Sequence, residues 1–152
     1  MINILSQVFL DILKDIKIKN TKEQKLLDLK LNIPKINIIT YSEMLKKFNS
    51  NDISMTFGDD LNRNLENEVY KLFGEAVIIK DFPSQIRAFY SMPNKQNPEI
   101  CNSFDLIYKG LEISSGAQRI HDKNLLIQVL KNRKMNVNNF NFYINAMACG
   151  AP

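Results

Sequence analysis

Histidine and cysteine are scarce in this chain, which holds one His, His121, and two Cys, Cys101 and Cys149, in 152 residues. The cysteines stand far apart with no CxxC spacing. Neither a zinc site nor a disulfide framework is indicated, and both are read as reduced thiols. No stretch approaches the roughly 18 uninterrupted apolar residues of a membrane span. The N-terminus lacks the basic, apolar, small-residue order of a secretory signal. The expectation is a cytoplasmic chain with no membrane contact. Dense runs of Lys or Arg are also missing, so the net charge of +4 could attract nucleic acid but assigns no partner by itself. There is no internal repeat.

What is present is ordinary for a soluble globular protein: 45% hydrophobic and 24% charged residues. The length suits a single domain over residues 1–152 with a workable core. Ile4, Val8, Ile12 and Ile16, flanked by Leu5, Phe9 and Leu13, recur at helical spacing and predict a helix over Ile2 to Ile18. Lys19 to Asn32 reads as loop with helical turns. Lys35 to Ile39 reads as a short strand, after which Thr40 and Glu43 have capping-box spacing for a helix to about Phe48. Asn49 to Gly58 is a polar loop.

Leu61, Leu65, Val69, Leu72 and Phe73 mark the next helix, which Gly74 can terminate. Ala76 to Ile79 and Arg87 to Met92 have strand character, with Pro83 between them and a turn-rich loop from Pro93 to Pro98. Phe104 to Tyr108 and Leu111 to Ile120 predict a β-hairpin turning at Lys109 and Gly110. Asp122 is a good N-cap for the helix of Leu125, Leu126, Val129 and Leu130, and Phe140, Tyr143, Ile144 and Met147 mark a last helix. Strands and helices mix without βαβ regularity. The expected class is α+β, an antiparallel sheet with helices on one face or around its edges. The apolar stripes themselves are read as core.

One segment departs from this pattern. Glu112-Ile113-Ser114-Ser115-Gly116-Ala117-Gln118-Arg119 packs a carboxylate, two hydroxyls, a glycine, an amide and a guanidinium into one short strand. Glu112 with Ser115 offers the hard oxygens that suit magnesium and bridge to phosphate. Arg119 offers a planar fork for a carboxylate or phosphate. Gly116 permits close approach of backbone and ligand. The same residues also fit a solvent-facing edge strand whose charges are merely hydrated. His121, with no nucleophile or metal partner beside it in sequence, reads as a hydrogen-bonded structural residue.

Extended to His121-Asp122, the segment closely resembles the Glu-Ile-x-Ser-Gly-Ala-Gln-Arg-Ile-His-Asp strand of archaeal and eukaryotic class II aspartyl-tRNA synthetases. Ile86 to Pro93, Asn102-Ser103-Phe104-Asp105, Gly58-Asp59-Asp60-Leu61 with Glu66, and Gly150-Ala151-Pro152 resemble further stretches of the same family. Asparaginyl relatives usually differ at Gly116-Ala117-Gln118-Arg119. The resemblance implies a partial antiparallel sheet of the class II catalytic core, flanked by helices. It implies that Glu112 binds ATP and magnesium, that Ser115 contributes to magnesium and aspartate, and that Arg119 pairs with the side-chain carboxylate of aspartate. ATP, aspartate, tRNA and a second copy in a homodimer are the partners it implies for the complete protein. The family's motif 1, motif 2, motif 3 and anticodon-binding barrel have no counterpart here. The chain is therefore expected to be a catalytic-domain portion between motifs 2 and 3, inactive alone, with no residue assigned a catalytic role. A free-standing amino-acid-binding or regulatory module, or an asparaginyl-type relative, is the alternative.

Strict strand alternation would put Ser115 and Arg119 on one face and Glu112 on the other. A shared metal therefore requires a bulge or break near Ser114 to Gly116.

Overall fold

Thr40 ends a strand and starts a helix in one residue. Its hydroxyl accepts the Glu43 amide at 3.1 Å, and the Glu43 carboxylate accepts the Thr40 amide at 2.7 Å. This reciprocal cap joins β1 (Ile36–Thr40) to α3 (Tyr41–Asn49). In the computed structural model, which describes residues 1–150, α1 (Ile2–Lys19) and a short α2 (Thr21–Leu26) precede them. Ala151 and Pro152, which complete the Gly150-Ala151-Pro152 match, lie outside the described residues. Asn62 caps α4 (Arg63–Phe73) through the amides of Asn64 and Leu65, and Gly74, at φ 102°, ends it. β2 (Ala76–Lys80) follows.

β2 runs parallel to β1, in register from Ile36 opposite Ala76 to Thr40 opposite Lys80. The expected antiparallel sheet is thus corrected at this pair. α3 and α4 form a crossover that carries the chain back to the end where β1 began, as parallel pairing requires. The rest of the sheet is antiparallel, in the order β1-β2-β3-β4, with β3 (Ser103–Tyr108) and β4 (Leu111–Ala117) as the predicted hairpin. Lys109 and Gly110 both have positive φ, 49° and 75°, the pairing a tight two-residue turn requires.

Helices cover both faces of the sheet, where one face or the edges were expected. Val77, Ile79 and Ile107 meet Tyr41, Met44, Phe48 and Val69 from α3 and α4. Ile78, Phe104 and Leu106 on the reverse face meet Ile2, Leu5 and Phe9 of α1. β2 is therefore buried on both sides, which explains its unbroken apolar run. A separate core joins α5 (Lys123–Asn132) and α6 (Asn141–Ala148) to Met92 and Ile120. Leu111 and Ile113 on β4, and Ile4 and Val8 on α1, remain exposed.

Two predicted strand stretches are corrected. β4 stops at Ala117 rather than Ile120. Arg87 to Met92 is a loop after a 3-10 turn at Ser84–Ile86, because the Ser91 amide turns back to the Ala88 carbonyl at 2.9 Å. Only Ser91, bridged to Arg119, retains strand-like pairing within that stretch.

Gly116 does permit a close approach, but to the protein's own core. A Cβ there would stand 2.6 Å from Cζ of the buried Phe104 ring on the paired strand. Gly116→Ala is expected to lower stability by about 1–3 kcal/mol through overpacking, read as a reduced urea midpoint with an unchanged slope.

Candidate amino acid and magnesium site

The chemistry-bearing strand contains an irregularity that its sequence conceals. Ile107 pairs with Glu112 and Leu106 with Ser114, so Ile113 is an extra residue without a partner. This β-bulge lies just before the window where one was expected. It shifts the alternation by one, so that Glu112, Ser115 and Ala117 share a face with their partners Ile107, Asp105 and Ser103. The Glu112 amide donates to the Glu66 carboxylate in the first turn of α4, at 3.1 Å. Helix α4 thereby holds the bulge from the covered face.

Asp105 is the residue that sequence reasoning left without a role. It lies mid-strand, 3% exposed, opposite both Ile79 and Ser115. Arg87 pairs with its Oδ2, and the Arg87 guanidinium lies over the Phe82 ring, 3.7 Å from the centroid. Asp105 Oδ1 is buried with no hydrogen-bond partner among the described residues. Burial pushes the carboxyl up to about 6 against the opposing effect of Arg87, and the charges of Glu112 and Asp60 add to the rise. The available signal was an aspartate between Phe104 and Leu106 in a buried strand, where a charge needs a partner or a purpose.

Arg119 follows β4 and is exposed. Its guanidinium lies 4.3 Å from the centroid of the Tyr90 ring. It has no hydrogen bond or ion pair among the described residues. Ser115 and Arg119 line one small cavity of about 160 Å³ with Arg87, Tyr90, Ser91 and Ser103. That size suits a small amino acid better than a nucleotide. Glu112 lies on the same sheet face but outside the cavity wall.

The larger cavity, about 790 Å³ between the loop after Met92 and α5, holds His121. His121 is exposed and makes no hydrogen bond among the described residues, which corrects its reading as a hydrogen-bonded structural residue. Both cysteines are free, Cys101 buried and Cys149 exposed.

No group of three His, Cys, Asp or Glu side chains among the described residues could hold a metal unaided. Magnesium rarely asks for one: it keeps waters and takes one or two carboxylates together with substrate phosphates. The Glu112 carboxylate, the Ser115 hydroxyl and the Asp105 Oδ1, which has no partner among the described residues, are hard oxygens on one sheet face, the donor chemistry a magnesium delivered with a nucleotide would take.

The four-stranded mixed sheet with helices on both faces is the fold of part of a class II synthetase core. It superposes on aspartyl-tRNA synthetase from Entamoeba histolytica with a TM-score of 0.84 at 27% identity, covering 96% of this chain and 32% of that one. Asparaginyl-tRNA synthetase from Pyrococcus horikoshii, solved with asparaginyl-adenylate, gives 0.85 at 20% identity over 97% of this chain and 36% of that one, a likeness of fold alone. The family model of class II tRNA synthetases (D, K and N) matches residues 1–152, and the chain belongs to that family. It is 38% identical over 152 residues to an aspartate–tRNA(Asp/Asn) ligase of Methanocaldococcus jannaschii, covering 99% of the chain and 35% of the relative. A second relative, an aspartate–tRNA(Asp) ligase of Thermoplasma volcanium, is 37% identical over 136 residues, 88% of the chain and 32% of the relative. The chain thus spans about a third of the length of the curated relatives it matches. No helix among the described residues is long and apolar enough to cross a membrane.

Asp105 generates a pH dependence. Its carboxyl titrates at the ordinary 3.8 when unfolded and at about 6 when folded, so the folded chain binds more protons between those values. Stability must fall as pH rises through that window. Urea unfolding at pH 4.5 and 7 is expected to show a loss of about 2 kcal/mol from this group. The Asp105→Asn variant should flatten that part of the profile.

Proposed function

We propose that this chain is the portion of an aspartate–tRNA ligase that receives the aspartate side chain and the magnesium accompanying ATP. Arg119 presents its fork to the side-chain carboxylate of aspartate, as its position in a cavity of amino-acid size supports. Ser115 lies on the same wall and on the same face as Glu112, so its hydroxyl can serve either amino acid or metal. Glu112, on the same sheet face as Asp105 and close enough for its charge to be felt there, would hold the nucleotide's magnesium. Bound there, the cation would neutralise phosphate charge and let the crowded carboxylates ionise. The observation that carries the reading is the bulge at Ile113, without which Glu112 and Ser115 would lie on opposite faces.

In the complete ligase, the α-carboxylate of aspartate attacks the α-phosphorus of ATP, forming aspartyl adenylate and releasing pyrophosphate. A terminal ribose hydroxyl of tRNA then attacks the acyl carbon and AMP leaves. Asparagine is rejected because its amide would leave the guanidinium short of an acceptor. The tRNA, and a second subunit in a homodimer, belong to the same proposal for the complete protein, and a cytoplasmic location is its natural setting.

Of the two guanidinium groups on the cavity wall, Arg87 is engaged by Asp105, which leaves Arg119 alone for an incoming anion. Stabilising charge on a transferring phosphate asks for more than one such group. The chain alone is therefore expected to bind aspartate by calorimetry yet show no aspartate-dependent pyrophosphate exchange above background. Arg119→Met should abolish the binding. Robust exchange by the unaided chain, or aspartate binding that survives Arg119→Met, would overturn this reading.

A further inference from the structure

An exposed arginine with no hydrogen bond is a poor receptor, because its long side chain samples many rotamers and about 2 kcal/mol of rotamer entropy opposes any one of them. Among the described residues, the recorded contact of the Arg119 guanidinium is the Tyr90 ring, at 4.3 Å from Cζ to centroid. A contact through the face of the guanidinium leaves its in-plane N–H fork free. That is the geometry a bidentate carboxylate needs.

Tyr90 is itself fixed from several sides. Its carbonyl accepts the Ile120 amide at 2.9 Å, one residue beyond Arg119, and the Ser91–Arg119 bridge holds the two segments side by side. Phe89 meets the Tyr90 ring edge-on at 5.1 Å, and Phe140 closes on Phe89 at 4.8 Å. Tyr143 of α6 lies 6.5 Å from the Tyr90 ring. Arg133, at the end of α5, donates to the carbonyls of Ser84 and Arg87 and secures the start of the same loop.

We infer that Tyr90 is a positioning residue for specificity: by stacking on the guanidinium of Arg119 it fixes the fork toward the cavity, and so sets the preference for a carboxylate over an amide. The inference rests on Arg119 as the receptor of the aspartate side chain. Aspartate and asparagine share their remaining groups, so loosening Arg119 removes affinity for aspartate and leaves that for asparagine where it was.

The test is nuclear magnetic resonance on the labelled full chain, following the arginine Nε–Hε signal that disappears in Arg119→Lys. In the unaltered chain this signal should be displaced upfield by the ring and should move with aspartate but not with equal asparagine. Tyr90→Phe, which keeps the ring, should preserve both properties. Tyr90→Leu should return the signal to the position of an exposed arginine and weaken aspartate binding about tenfold, with asparagine binding unchanged. Unchanged aspartate affinity in Tyr90→Leu, together with loss of binding in Arg119→Lys, would overturn the role of Tyr90 and leave Arg119 as receptor. Equal losses for aspartate and asparagine in Tyr90→Leu would also overturn it, since a merely structural residue behaves that way. An Arg119 signal that aspartate does not move in the unaltered chain would overturn the receptor reading itself, and with it the specificity role of Tyr90.

Discussion

The hydrogen bond from the Glu112 amide to the Glu66 carboxylate fixes where the period of β4 changes, and the composition of the site follows from that position. A bulge removes one amide from the ladder, and a buried or half-buried donor without an acceptor costs about 1–3 kcal/mol. Glu66 supplies the acceptor from the first turn of α4, where a negative charge is also favoured by the helix dipole. Arg63, 3.8 Å away on the same turn, balances that charge. The local irregularity is thereby made the satisfied state. A one-residue slip would send Glu112 to the side of the sheet that α1 covers.

The sheet face so assembled is electrostatically unbalanced. Asp105 is desolvated between two strands, one of its oxygens has no partner among the described residues, and Glu112 and Asp60 both oppose its ionisation. Arg87 offsets part of this cost and is itself pressed against Phe82. A fold selected for stability alone would place an apolar residue here, since well-packed apolar groups commonly match or exceed a buried ion pair. Strain of this kind concentrates where a ligand is to relieve it. A divalent cation bound beside these carboxylates would outweigh their mutual repulsion.

How much of this was legible in the sequence depended on whether the cause was local. The capping box of Thr40 and Glu43, the Gly74 terminator, the Lys109-Gly110 turn and the Asp122 cap are each decided by neighbouring backbone groups, and all were readable. The direction of β1 was not, because five residues with an apolar face look alike whether the partner strand runs parallel or antiparallel. The Arg87 to Met92 stretch carried strand-like residues yet follows its contacts with Arg133 and Gln118 instead. Gly116 looked like room for a ligand, and only the register with Phe104 revealed what occupies that room. Glu112, Ser115 and Arg119 were legible as a dense polar segment, whereas Asp105 stood in a resembling stretch without a role because its partner is remote in sequence.

The candidate site is built on two cores rather than one. Glu112, Ser115 and Asp105 are carried by the sheet that α3 and α4 cover. Arg119 and Tyr90 stand between that sheet and the separate core of α5 and α6, to which Phe89, Ile120 and Tyr143 belong. The oxygens proposed as cation ligands and the guanidinium proposed to receive an amino acid side chain thus rest on different packing interactions, joined at the end of β4. Arg87 couples the two, since it pairs with Asp105 on the sheet and its carbonyl accepts from Arg133 at the end of α5, so substitutions near it change both parts together. Under the proposed assignment, the sheet oxygens and the guanidinium after β4 are carried by different elements even where a shared residue couples them. The fold itself is shared with a solved aspartyl and a solved asparaginyl synthetase.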